Sequence, residues 1–175
     1  IIDYQRNNIN GGSINFNLSF KNSRYVTKDK KLKKLLEYEK KIGINKLKTY
    51  KTFYNELMKK AKHIKKKILY LKTKNMNIYG YGASTKGNVL LQLCGLDDHM
   101  INGIYDVNKE KFNQYTPGSN IKIISEKKIL KNKNDFILFL IWHFKKTIKK
   151  KFKNYKLKNT KFIWPFPSIK ILNKF

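Results

Sequence analysis

The stretch Met76-Asn77-Ile78-Tyr79-Gly80-Tyr81-Gly82-Ala83-Ser84-Thr85-Lys86-Gly87-Asn88 decides the fold. Residues 76–79 read as a short strand, 80–88 as a glycine turn, and 84–94 as the helix that the turn opens. Gly80 and Gly82 let the backbone turn tightly and approach a ligand closely. Ser84 or Thr85 can cap the helix and leave N–H groups pointing outward. Those groups and the helix dipole favour an anion such as phosphate. Asp106 ends the next predicted strand, where a ribose-binding acid sits in dinucleotide folds. The spacing is G-x-G-x-x-x-x-G, not G-x-G-x-x-G. It is not a phosphate-binding Walker loop either, because Lys86 precedes Gly87 and Asn88 follows it, and it lacks the G-x-S-x-G of a serine-hydrolase elbow. Spacing alone leaves two readings open: a nucleotide-binding turn, or a turn that only permits strand–helix packing.

Working downstream, strands are predicted at 100–105, 120–124, 135–141 and 160–164, with helices at 126–131 and 144–155. This alternation predicts an α/β fold, a Rossmann-like parallel sheet with helices on both faces. Working upstream, Leu47, Tyr50, Tyr54, Leu57, Ala61, Ile64, Ile68 and Leu71 step by three and four, which predicts one long amphipathic helix. Its stripe is expected to pack on the domain that follows, with a coiled-coil pairing as the alternative. A shorter basic helix is predicted at 29–42, stopped by Gly43. Ile14, Phe16, Leu18 and Phe20 alternate with polar residues, so 12–20 reads as a stray strand that needs a sheet to join.

Composition narrows the classes. A 41% hydrophobic content suffices for a core and argues against disorder. No apolar run approaches a membrane span. The first residues, IIDYQRNN, have no signal-peptide layout, and a cytoplasmic location is expected. The single cysteine, Cys94, leaves no internal disulfide or cysteine-rich metal site and reads as core. The net charge of +29 suggests attraction to nucleic acid. Yet Arg6 and Arg24 are the only arginines, and the lysines spread along the whole chain, so nucleic acid is not the expected partner. A solvated lysine surface accounts for the charge.

At this point four blocks carry a resemblance: GYGASTKGNVLLQLCG, IYDVNKEKFNQYTPGSNIKI, ILFLIWHFKKTI and KFIWPFP. Their order and spacing over 76–167 resemble the C-terminal domain of S-adenosylmethionine-dependent sugar C-methyltransferases, and NNINGGSI at 7–14 resembles the segment near the end of that family's methyltransferase domain. The resemblance implies an enzyme family acting on nucleotide-linked sugars. It divides the chain into a remnant of a methyltransferase domain at 1–27, a helical linker at 28–74 and a Rossmann-like C-terminal domain at 75–175.

The resemblance further implies that the cofactor loop, the zinc cysteines and the catalytic base lie upstream in the family. The S-adenosylmethionine site is therefore expected to be absent here, catalytic and metal residues are assigned as none, and the chain alone is expected to be inactive. Possible partners are the nucleotide-sugar substrate and the missing domains. The substrate-facing residues carried over are Gly80, Gly82, Ala83, Ser84, Thr85, Lys86, Gly87, Asn88, Asp106 and His143. His143 follows the most apolar strand, at the edge where ligands bind in open α/β sheets. Of the other histidines, His63 reads as solvated and His99 as a loop residue. The rival classes are a stand-alone nucleotide-binding or scaffold module and a charge-driven nucleic-acid binder.

Overall fold

Residues 136–139, Phe-Ile-Leu-Phe, are all buried and form the most apolar strand of the larger sheet. Burying one such side chain contributes about 1.5–3 kcal/mol, which is why a run of four sits at the centre of the sheet. The computed structural model describes residues 1–175 except Val26, Lys156, Lys158 and Phe175. None of the candidate site residues is among these four. The described chain divides into two compact units, Ile1–Glu56 and Leu57–Phe175.

In the first unit, β1 (Asp3–Asn7) and β2 (Ser13–Asn17) pair antiparallel as a two-stranded ribbon, with Asp3 opposite Asn17 and Asn7 opposite Ser13. The predicted stray strand thus has a local partner of its own and does not join the α/β sheet. Sequence missed β1 because DYQRN carries neither alternation nor a β-branched residue. Helix α1 (Asp29–Ile42) matches its predicted bounds and ends at Gly43, whose φ of 71° closes the turn with an N–H donated to the Glu39 and Lys40 carbonyls. Asp3 ties the ribbon to the start of α1 by accepting from Lys28 and Lys31. Helix α2 (Leu47–Thr73) is the predicted long helix.

The second unit begins inside α2. Its sheet comprises β3 (Ile78–Tyr81), β4 (Ile104–Asp106), β5 (Ile123–Ser125), β6 (Phe136–Phe139), β7 (Lys161–Trp164) and β8 (Lys170–Leu172). The spatial order is β5-β4-β3-β6-β7-β8. The first five are parallel and β8 is antiparallel to β7. Counted within the unit this is the order 3-2-1-4-5-6 of Rossmann sheets. It reverses between β3 and β6, which pair with Gly80 opposite Leu138 and Tyr81 opposite Phe139.

Both faces of the sheet are covered. On one, Ala61, Ile64, Ile68 and Leu71 of α2 and Leu90, Leu91 and Cys94 of α3 (Thr85–Cys94) pack with Ile78, Leu138 and Ile163. On the other, Ile148 and Phe152 of α4 (Lys145–Lys153) pack with Tyr81, Tyr105, Ile137, Phe139, Phe162 and Trp164. Alternate residues of β6 face opposite clusters, as strand geometry demands. Only the second half of the α2 stripe is covered, since Leu47, Tyr50 and Tyr54 remain exposed. No helix among the described residues is long and apolar enough to cross a membrane.

Candidate functional site

The site forms where strand order reverses, at the carboxyl ends of β3, β4 and β6, because the crevice between diverging crossovers opens there. Tyr81 and Gly82 end β3 and begin the turn. The strand runs two residues further than predicted, so Gly80 lies inside it. A Cβ on Gly80 would come within 2.9 Å of Ile104 Cγ1 and 3.1 Å of Leu140 Cδ1. A Cβ on Gly87 would meet Leu140 Cβ at 2.8 Å. Both glycines therefore serve close strand–strand and strand–helix packing, and neither lines the cavity. Gly82 differs: its φ is 88°, and a Cβ there would meet Ile141 Cγ2 at 2.6 Å. It needs glycine for both conformation and space.

Ser84 caps α3, its Oγ accepting the Gly87 N–H at 3.0 Å. Thr85 and Lys86 fill the first exposed turn of the helix. Asp106, buried at the end of β4, accepts the Ala83 N–H at 2.7 Å on Oδ2 and the Asn108 N–H at 2.8 Å on Oδ1. Its first task is thus to hold the glycine turn, a role the predicted ribose-binding position did not include. Lys111 donates to the Ala83 carbonyl at 2.8 Å and so clamps the same turn from the other side. Tyr81, Gly82, Ala83, Ser84, Tyr105, Asp106, Val107, Lys111 and Ile141 line an open cavity of about 200 Å³. Sequence did not single out Lys111, since one lysine in a 3-10 turn (Lys109–Lys111) of so lysine-rich a chain gives no signal.

His143 lies in a 3-10 turn (Trp142–Phe144) directly after β6. It is half-buried, and its Nδ1 is shut from solvent with no hydrogen-bond partner among the described residues. Burial first, and the Lys86 ammonium second, lower its pKa from the ordinary 6.5, so the ring is neutral near pH 7. Asn88 Oδ1 is likewise buried without a partner among the described residues.

The candidates thus separate into Gly82, Ala83, Ser84 and Asp106 at the cavity, Thr85, Lys86 and Asn88 on the first turns of α3, His143 beyond β6, and Gly80 and Gly87 as packing glycines. Cys94 is buried and its thiol is pushed up to about 12 by desolvation, as fits a core residue.

Lys111, Asp106 and the Ser84-capped start of α3 line the cavity, and Lys86 stands on the exposed first turn of that helix. A family model described as C-methyltransferase C-terminal domain matches residues 8–167. The chain belongs to this family. C-methyltransferase NovU of Streptomyces niveus is 27% identical over 139 residues, covering 79% of this chain and 33% of that protein. The chain therefore spans about a third of the length of this C-methyltransferase relative.

Proposed function

We propose that this chain is the substrate-holding part of an S-adenosylmethionine-dependent C-methyltransferase acting on a nucleotide-linked sugar, and that it grips the diphosphate of that substrate at the start of α3. The observation that carries the reading is the Ser84-capped helix terminus beside a cavity walled by Asp106 and Lys111, at the point where strand order reverses. Helix termini and lysines favour phosphate there, and Asp106 and Lys111 fix the turn that leads into the helix.

The methyl donor of such enzymes is a sulfonium cation. It does not fit the residues present: Lys86 and the helix terminus bring positive charge, and both oxygens of Asp106 already accept backbone N–H groups. The chain thus contributes substrate binding, and methyl transfer requires a cofactor-binding domain on the same or another polypeptide. Methyl transfer from labelled S-adenosylmethionine by this chain alone would overturn that assignment.

Thermal shift with UDP and dTDP, repeated on Lys86→Glu, tests the diphosphate site. A glutamate in the first turn favours the helix dipole, so the fold is retained while phosphate is repelled. The shift seen with wild type is expected to vanish in the variant. An unchanged shift sinks the placement.

A further inference from the structure

The first unit carries more apolar surface than it buries. Among the described residues its one buried large apolar side chain is Leu35. In α2, Leu47, Tyr50, Phe53 and Tyr54 are each between 55 and 68% exposed. At about 100° per residue these four fall within an arc of about 120°. They make one continuous apolar face on the first turns of the helix. Lys48 and Lys51 run along one side of that face, and no acidic residue precedes Glu56 in the helix. We propose that this face lies in the interfacial plane of an anionic lipid bilayer, with its aromatic and aliphatic side chains at the acyl boundary and the neighbouring lysines against lipid phosphates.

Charge selects the occupant. The chain carries +29, so a second copy would bring like charge against like. Protein–protein interfaces are enriched in arginine and depleted of lysine. Here Arg6 and Arg24 are the only arginines, and neither lies on α2. Lysine suits a lipid surface, because its aliphatic stem covers apolar ground while its ammonium reaches a phosphate as a point charge. A helix with Phe, Tyr and Leu on one side, lysines beside them and low overall hydrophobicity lies along a bilayer surface and does not cross it. No helix among the described residues is long and apolar enough to cross. The face owes nothing to the start of α3, so the proposal stands or falls apart from the function proposed above.

The test sediments the whole chain at physiological salt with vesicles of phosphatidylcholine alone or mixed with phosphatidylglycerol. Wild type is expected to pellet with the mixed vesicles and to stay in solution with phosphatidylcholine. The double variant Leu47→Ser and Phe53→Ser keeps every charge and alters only exposed side chains. It should weaken binding to the mixed vesicles by about tenfold or more, since affinity scales with the apolar area inserted. Phe53→Trp reports the depth, read against the Trp142 and Trp164 signal of wild type. Its emission should shift to the blue and be quenched by brominated acyl chains. Full binding by the serine variant, or pelleting without quenching, means that the lysine surface alone adsorbs and overturns the proposal. So does a wild type that ignores the mixed vesicles, as expected if another protein domain covers the face. A dimer in solution that the serine variant dissolves assigns the face to a second copy and overturns it equally.

Discussion

The Ala83 N–H donates to Asp106 Oδ2 across 2.7 Å, joining the glycine turn after β3 to the end of β4. The Asn108 N–H holds the other carboxylate oxygen at 2.8 Å, so one buried acid orders two loops. Asp106→Ala leaves the Ala83 N–H without its acceptor in a buried setting, at a cost of about 1–3 kcal/mol. Urea denaturation should show that loss. The same variant should also abolish the UDP-dependent thermal shift, because the clamped turn relaxes. A variant that loses stability yet binds UDP as before would confine Asp106 to the fold.

Gly82 and Ile141 set a second dependence. Gly82→Ala places a Cβ 2.6 Å from Ile141 Cγ2 on a residue with φ of 88°. The conformational strain alone costs about 1–2 kcal/mol, and overpacking adds about 1–3 kcal/mol. Ile141→Ala removes the Cγ2, Cγ1 and Cδ1 atoms that crowd the new methyl. In a double-mutant cycle, Gly82→Ala should therefore cost less in the Ile141→Ala background, with the φ strain left over. Equal costs in both backgrounds would mean that the clash relaxes freely.

Much of the second unit was legible from the chain because strand and helix periods alternate cleanly from Ile78 to Trp164, and Gly82 announced its turn by lacking a side chain. Strand edges drifted by one to four residues, since Ile101 and Ile121 are buried like strand residues although they precede β4 and β5. Strand β8 escaped notice because Lys170–Leu172 is only three residues long and follows a proline-rich turn. The site was legible in type but not in detail. Asp106 was visible as an acid at a strand end, yet its partners come from main-chain geometry that no spacing encodes. Lys111 and Ile141 join the site only through the register of β3 with β4 and β6.

In the first unit, Asp3 accepts from Lys28 at 2.7 Å and from Lys31 at 2.6 Å. The Lys28 hydrogen bond, then that of Lys31, hold its carboxyl well below the usual carboxylate range. A depressed pKa contributes stability that is complete above the ordinary value of 3.8 and is lost as pH falls below it. Asp3→Asn should speed hydrogen exchange in the β1–β2 ribbon at pH 6. Acidification below 3.8 should speed it in wild type, while the variant should respond less. Identical exchange in both proteins at pH 6 would mean that the ribbon holds to α1 without the carboxylate.

His143 gives the opposite sign. Its folded pKa lies below 6.5, because burial and the Lys86 ammonium disfavour the charged ring. The unfolded chain therefore binds a proton between those two values that the folded chain refuses. Stability is complete above 6.5 and falls as pH drops from there toward the lowered pKa. His143→Phe removes this contribution while filling similar space beside Trp142 and Phe144, whose rings lie 5.6 and 4.4 Å from the imidazole. Wild type should lose midpoint temperature between pH 7.5 and pH 5.5, and the variant should lose less over the same interval. Bound diphosphate should shrink the wild-type loss further, since an anion near Lys86 offsets the charge that opposes protonation of the ring. Parallel pH profiles for wild type and His143→Phe would show that the ring titrates as it does in the unfolded chain.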